Sequence, residues 1–491
     1  MKKSITHRIK GDCSNLFRLV ILFTFFGNLF LNNALYAQAP GSLDLSFNSQ
    51  GYVTEDKGLI DVYQKTIVQP DQKILVIGMS WNETYVAQVV VTRYLPNGSL
   101  DLSFGVSGSF TYNLDNEALA YDAVLSPEGK IILVGSTTDY TKYRILVIQI
   151  NADGSLDAEF GENGLVATEV GLVSENGEDM GYGVDLDAAG NIIVCGSSLD
   201  ENYFRRPVVI RYSPIGVMDM NFGVNGVATI PVTNSENVFD CVAVQPDGKI
   251  VASGHYAQDL LFFKFLMVRF NEDGSLDNSF GNNGVIKQSF ANVDDEGFSL
   301  ALRPNGKILV AGFSGTQTYN YNSLLVQYTP QGQLDSSFGT NGVVILDFAN
   351  FDVAEDVKLL PNGDAIVVGT SGEGPPNAYN LAVWRYKSDG GLITSFGTNG
   401  IVQHEIDDYY VMLHSLAIQE DGKLVVAGQA RSQLSNNDFI VCRMFLEDPA
   451  GFSRTESSSF SLYPNPSRGA NQIVLNDSEK IQWEKAEIYS I

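Results

Sequence analysis

One spacing constrains this chain more than any other feature of it. A Phe-Gly element, written Leu-Asp-Leu-Ser-Phe in its first copy, recurs at Phe47, Phe104, Phe160, Phe222, Phe280, Phe338 and Phe396, at intervals of 57, 56, 62, 58, 58 and 58 residues. A second element, Gln-Pro-Asp-Gly-Lys-Ile-Val-Ala-Ser-Gly ending at Gly254, recurs in phase at Gly78, Gly135, Gly196, Gly312, Gly369 and Gly428. A fixed period in seven copies means seven equal supersecondary units, not a set of unrelated domains.

One unit, residues 240–285, reads as four strands. Cys241 to Gln245 alternates, Pro-Asp-Gly turns the chain, and Lys249 to Gly254 is a nearly continuous apolar run, which together make a tight hairpin. After a variable loop, Phe265 to Phe270 supplies a third strand, Asn-Glu-Asp-Gly-Ser-Leu-Asp turns again, and Gly284 to Gln288 supplies a fourth. Nothing in the repeat region sustains a 3.6-residue period, so the expectation is all-β. The second strand is apolar at successive positions, as in Ile74 to Ile77, Ile131 to Val134 and Leu424 to Ala427. Both of its faces need cover, which radial stacking of sheets provides. The expected fold is a seven-bladed β-propeller of four-stranded blades. Residues 41–55 hold only a fourth-strand element and the repeats end after a third strand near Phe445, so Tyr52 to Glu55 is expected to complete the last blade, 415–446, and close the ring.

Composition sets the compartment and excludes some partners. Residues 1–37 read as a signal peptide: Lys2, Lys3, Arg8, Lys10 and Arg18, an apolar run from Leu19 to Leu31, then Ala-Leu-Tyr-Ala. The run is too short for a bilayer span, so no transmembrane segment is expected in the mature chain. Its removal leaves 26 basic and 56 acidic residues, a net charge of −30, which argues against nucleic acid and anionic lipid. Cys195, Cys241 and Cys442 remain, an odd number with no disulfide framework, and read as small buried hydrophobes. The expected domains are 38–446 for the propeller, 447–459 for a linker and 460–491 for a C-terminal module.

The repeat unit resembles the delta-60 repeat of bacterial exported proteins, and its first hairpin, through Pro-Asp-Gly-Lys to Gly, is similar to that of WD repeats. That resemblance implies a propeller and supplies no activity. The motif Tyr463, Pro464, Asn465, Pro466 and the strands after it resemble the type A sorting domain of the type IX secretion system, which implies export across the outer membrane with that machinery as a partner. Such a domain usually runs for several more strands, so a chain ending at Ile491 is expected to carry a fragment of it or a defective copy.

Chemistry-bearing motifs are scarce. The turn Asn151 to Asp157 has the beginnings of a calcium loop, but other copies place Asn97, Ile215 and Gln331 where it has Asp153, so a structural turn is the better reading. Asp44, Asp101, Asp157, Asp219, Asp277 and Asp335 recur around the ring and read as caps of the Ser-Phe-Gly turn, with each Phe plugged between blades. Arg93, Arg211, Arg269, Arg385 and Arg443, with Gln149 and Gln327 in the other copies, read as packing or blade-to-blade hydrogen bonds. His255, His404 and His414 show no metal-ligand spacing, so no metal site is assigned, and no nucleophile elbow or phosphate loop occurs.

What varies between copies is expected on one rim. Second-to-third loops bring Trp81, Tyr85, Tyr140, Tyr143, Tyr203, Phe204, Tyr256, Tyr319, Tyr321 and Tyr379 to it, and inter-blade crossings bring carboxylates, among them Asp115, Asp122, Glu178, Asp240, Asp295, Asp356 and Asp407. Aromatic rings interleaved with acids suit a glycan or a surface protein. The leading expectation is therefore a secreted or cell-surface, non-catalytic binding propeller without a cofactor. One alternative is a polysaccharide hydrolase or lyase using two rim carboxylates; another is a structural propeller with calcium held by the rim acids.

Overall fold

The computed structural model describes residues 39–447, apart from 113–116, 172–176, 232–234, 259–261, 292, 318–319, 374–378, 407–408 and 433–435, together with 460–463 and 472–475. Among these residues there is no helix. Antiparallel four-stranded groups repeat: 60–112 (group I), 118–168 (II), 180–229 (III), 237–288 (IV), 295–346 (V) and 351–404 (VI), with groups V and VI joined by one bridge between Tyr321 and Phe351. Group VII takes three strands from 409–445 and a fourth from Tyr52–Glu55, in the register Tyr52 to Cys442 and Glu55 to Phe439. The tail expected to hold a sorting domain shows Phe460–Tyr463 paired with Gln472–Leu475. Pro464, Asn465 and Pro466 lie outside the described residues.

Second strands are the most deeply buried elements. Every residue of Ile131–Thr138, Ile192–Leu199 and Ala365–Gly372 is buried, as the unbroken apolar runs require. Each apolar cluster spans two groups. Leu75, Ile77 and Val91 of group I pack with Ile131, Leu133 and Leu146 of group II, and Tyr63, Ile74 and Val90 of group I pack with Val425, Phe439 and Val441 of group VII.

The Phe-Gly elements are the plugs between groups. All seven Phe side chains are at most 1 % exposed. The residue that follows has a positive φ, 51° in Gly105, where a Cβ would come within 2.3 Å of the Ser109 carbonyl oxygen; six copies use glycine there, and the first has Asn48 at 48°. Its N–H donates to the next group's hairpin: Gly105 to Asp153, Gly161 to Ile215, Gly223 to Asp273, Gly281 to Gln331 and Gly339 to Asp389, while Gly397 donates to Pro40 at the start of the repeats.

The recurrent Asp and Arg belong to the same device. Asp277 accepts hydrogen bonds from the Ser279 amide (3.0 Å) and hydroxyl (2.6 Å), from Arg269 Nε (2.8 Å) and from Lys249 Nζ (2.9 Å). The Arg269 guanidinium lies 4.3 Å from the centre of the Phe280 ring and donates to the Pro330 carbonyl of the next group at 2.6 Å. Arg93 reaches Ala152, Arg211 reaches Glu272, Arg385 reaches Leu446 and Arg443 reaches Pro96 in the same way. In group V, Gln327 stands in place of the Arg and donates to Asp335 at 2.7 Å, while Arg303 makes the crossing to Gly363. The turn-cap reading of the Asp residues and the group-to-group reading of the arginines hold, whereas Gln327 bonds within its own group. The cysteines are free, with Cys195 and Cys442 buried.

Two outcomes follow. Truncating Phe280 to Ala removes a fully buried ring from between groups IV and V and is expected to cost about 3–5 kcal/mol, against less than about 0.5 kcal/mol for the exposed Leu102→Ala, in urea unfolding. Burial by itself would raise the Asp101 carboxyl, but hydrogen bonds from Ser103, together with Lys73 and Arg93, bring it down to about 2. A carboxyl depressed in the folded state contributes stability above its unfolded value near 4, and that contribution disappears as pH falls through about 2. Asp101→Asn is expected to cost on the order of 1 kcal/mol at pH 7 after allowance for screening, with the difference from the parent chain vanishing between about pH 4 and pH 2. A difference that stays constant over that window would contradict the assignment.

Candidate functional site at the mouth of the central cavity

The first strand of each group lines a common cavity of about 730 Å³. In each group that strand carries a β-bulge, between Tyr63 and Lys65, Ala120 and Asp122, Gly181 and Gly183, Phe239 and Cys241, Gly297 and Ser299, Ala354 and Asp356, and Leu413 and Ser415. A bulge breaks strict alternation, so two consecutive residues turn to the same side. The bulged residues Gln64, Tyr121, Tyr182, Asp240, Phe298, Glu355 and His414 all border the cavity.

The residue after the bulge forms a girdle of polar links. Asp122 accepts the Val184 N–H of the next group (2.9 Å), Asp356 accepts the Leu416 N–H (3.1 Å), and the Ser415 hydroxyl accepts the Thr66 N–H (3.0 Å). Asp185 adds a link to the Val244 N–H at 2.8 Å. Lys65 Nζ lies 2.7 Å from Asp122, and although burial works against its charge, Asp122, Asp356 and Asp185 hold it firmly protonated. Burial raises the Asp185 carboxyl despite the hydrogen bonds from Val244 and Leu186; Asp356 is depressed because Lys358 and Lys65 outweigh its burial.

Beyond the girdle, at the end where the first strands begin, the wall is uneven. Tyr121 and Tyr182 stand 5.2 Å apart on one side. Toward groups IV and V, His255 Nδ1 lies 3.1 Å from Asp240 Oδ2 and 3.5 Å from Glu296 Oε2. Burial disfavours the His255 cation, but Asp240 and then Glu296 outweigh it and lift its pKa to about 9; burial lifts Glu296 to about 7 against the opposing pull of His255. Next to them, His414 Nδ1 lies 3.9 Å from Glu355.

The candidate residues read from sequence divide into three sets. Asp122, Asp240 and Asp356, expected in inter-blade crossings, lie inside first strands, as does Asp295, the first residue of its strand. The bulge hid this, because alternation counted from the hairpin fails ahead of it. Tyr143, Tyr256, Tyr321 and Tyr379, expected in loops, lie in strands, and so does Trp81, because the hairpins pair further out than their apolar cores suggest: Tyr143 opposite Thr138, Tyr256 opposite Lys264, Tyr379 opposite Gly372. These rings pack. Trp81 and Tyr143 cover Met79 and Leu119, Tyr256 lies under Lys287 Nζ at 4.6 Å, and Tyr321 stands edge-on to Phe313 and Phe351, which in turn meets Tyr379. Phe204 is half-buried, and Tyr319, Asp115 and Asp407 lie outside the described residues.

Tyr85, Tyr140 and Tyr203 behave differently. They are 66 %, 63 % and 60 % exposed, on three successive groups, and each has a left-handed backbone with φ of 60°, 66° and 63°. A side chain as bulky as Tyr adopts that region at a cost of about 1–2 kcal/mol. Short turns hold them there: Asn82 Oδ1 accepts the Thr84 and Val86 amides, Asp139 the Thr141 amide, and Asp200 the Asn202 amide. The antiparallel register places these turns at the end of the molecule where the first strands begin, the same end as the mouth.

A family model agrees with the repeat architecture. The family described as "Domain of unknown function (DUF5122) beta-propeller" matches residues 69–104, 127–160, 245–280, 303–338 and 419–445, from the first hairpin to the Phe-Gly element in four copies and the second and third strands of the last copy. The chain carries β-propeller repeats. No curated protein matches the sequence. Among solved structures, it is similar to a protein of unknown function from Dyadobacter fermentans (10 % identity, TM-score 0.40, covering 80 % of this chain and 99 % of that one). It is also similar to a PL25 ulvan lyase (10 % identity, TM-score 0.45, 81 % and 96 %) and to the β-propeller domain of the trilobed protease from Pyrococcus furiosus (10 % identity, TM-score 0.40, 81 % and 100 %). Likeness at this level says nothing of activity.

Proposed function

We propose that the seven groups are blades of one propeller, closed where Tyr52–Glu55 joins the last blade, and that it acts as an exported, non-catalytic module binding a neutral glycan at the mouth of its cavity. The observation that carries this reading is the trio Tyr85, Tyr140 and Tyr203. Exposed rings held in a strained backbone on adjacent blades present flat faces and hydroxyls that suit stacking on sugars. The charge of −26 over the whole chain disfavours an anionic polysaccharide. Residues 1–37 and the Tyr463 to Pro466 motif support delivery to the outside or the outer surface by the type IX route.

The hydrolase or lyase alternative needs two spare carboxylates; Asp122 and Asp356 are engaged by backbone N–H groups and by Lys65, and at the mouth Asp240 and Glu296 share His255 while Glu355 faces His414. The same Lys65 supplies positive charge among the axial acids, so the calcium alternative is not required to neutralise them.

Glycan-array screening of the mature chain is expected to return neutral glycans. Tyr85→Gly, Tyr140→Gly and Tyr203→Gly are each expected to weaken binding about fivefold, equivalent to about 1 kcal/mol per ring, while leaving Tm unchanged or higher because glycine accepts the left-handed backbone. Blank arrays, or a triple variant that binds like the parent, would overturn the reading; a response only to surface proteins would transfer the face to a protein partner.

A further inference from the structure

The repeat supplies its own internal control, because the same register position can be read in every blade. The position of His255 on the second strand holds Met79, Ser136, Ser197, Phe313, Thr370 and Gln429 elsewhere. That of Glu296, two residues before the bulge, holds Val62, Leu119, Met180, Val238, Val353 and Met412. Asp240, at the bulge itself, is matched by Gln64, Tyr121, Tyr182, Phe298, Glu355 and His414. The only His at its position and the only acid at an otherwise apolar one meet across the boundary between groups IV and V, with Asp240 beside them.

Their separations suit a cation. One donor atom from each of the three side chains lies within 4.8 Å of the other two, with 3.1 Å from His255 Nδ1 to Asp240 and 3.5 Å to Glu296. Donors bonded at about 2.0–2.2 Å to one ion stand roughly 3.0–3.6 Å apart in octahedral or tetrahedral geometry. All three project from strands, and His255 is further fixed by the Phe263 ring, edge-on at 4.6 Å between centroids.

We propose that Asp240, His255 and Glu296 form a site for a divalent transition metal of the zinc class, joining two blades at the mouth of the cavity. An imidazole nitrogen with two carboxylates selects zinc, manganese or iron over calcium, which takes oxygen ligands. Three protein ligands leave further coordination positions open, and Asp240 borders the cavity. The site revises the expectation of no metal drawn from sequence spacing: its ligands come from three strands, two of them 15 and 56 residues from Asp240. It goes beyond the glycan reading and stands or falls separately from it.

The test is zinc titration of the chelator-treated mature chain by calorimetry, with cobalt as a spectroscopic probe and calcium as a control. One equivalent of zinc is expected to bind, to raise Tm, and to leave calcium without effect. Cobalt is expected to give visible bands with His255 as a ligand. His255→Gln and Glu296→Gln are each expected to weaken zinc binding at least tenfold, whereas His404→Gln, remote from the cluster, keeps the parent affinity. Circular dichroism of the metal-free variants separates lost ligation from lost folding; should His255→Gln not fold, Asp240→Asn and Glu296→Gln carry the comparison. Zinc uptake that is equal in parent and ligand variants, as scattered surface carboxylates would give, overturns the proposal, as does the absence of any stoichiometric uptake.

Discussion

The second strand of each group is buried on both faces, and the other contacts between groups follow from that burial. A four-stranded sheet whose second strand reads Ile-Ile-Leu-Val or Ile-Ile-Val-Cys cannot be left with one face in water. Each group therefore needs a neighbour on either side, and the apolar clusters are shared between neighbours, not contained within groups. The Phe plug, the Arg that reaches the next group's carbonyl and the Gly amide that does the same are repeated means of fixing that contact at one distance and angle.

Much of this was legible in the sequence because it repeats. The Phe at a period near 58, the Asp two residues before its Ser and the third-strand Arg were each read as structural from recurrence alone, and each has the partners that reading requires. The bulge was not legible. Its residue types differ in every copy, from Gln64 to His414, so recurrence had nothing to register, and a strand counted outward from its hairpin loses phase at that point. That one irregularity moved Asp122, Asp240 and Asp356 from the expected crossings into the cavity wall. It also hid Lys65, Tyr121 and Tyr182, which reading for motifs passed over.

The aromatic residues show the limit of composition in a different way. Tyr85, Tyr140 and Tyr203, which face solvent, sit in turns held by Asn82, Asp139 and Asp200, whereas Tyr143 packs on Met79 and Leu119 and Tyr321 on neighbouring rings. The separation comes from hairpin length: a tyrosine beyond the last paired residues sits in the turn, and one before it joins the sheet. The His255 cluster was missed for a related reason, since it is assembled by register across two groups and only a comparison of copies position by position exposes it. In a repeat protein the recurring residues build the scaffold, and departures from the repeat that coincide in space are where function is best sought.

In the closed ring we propose, the groups hold one another and the segment around Tyr52–Glu55 is the clasp. Native-state hydrogen exchange of the mature chain lacking residues 38–55 distinguishes that ring from independently stable groups. The ring predicts lost protection throughout, including the amides of Ile192–Leu199 in group III, far from the missing strand, together with a single lowered unfolding transition. Loss confined to Asn437–Phe445 and its immediate neighbours, with group III as protected as before, would contradict it.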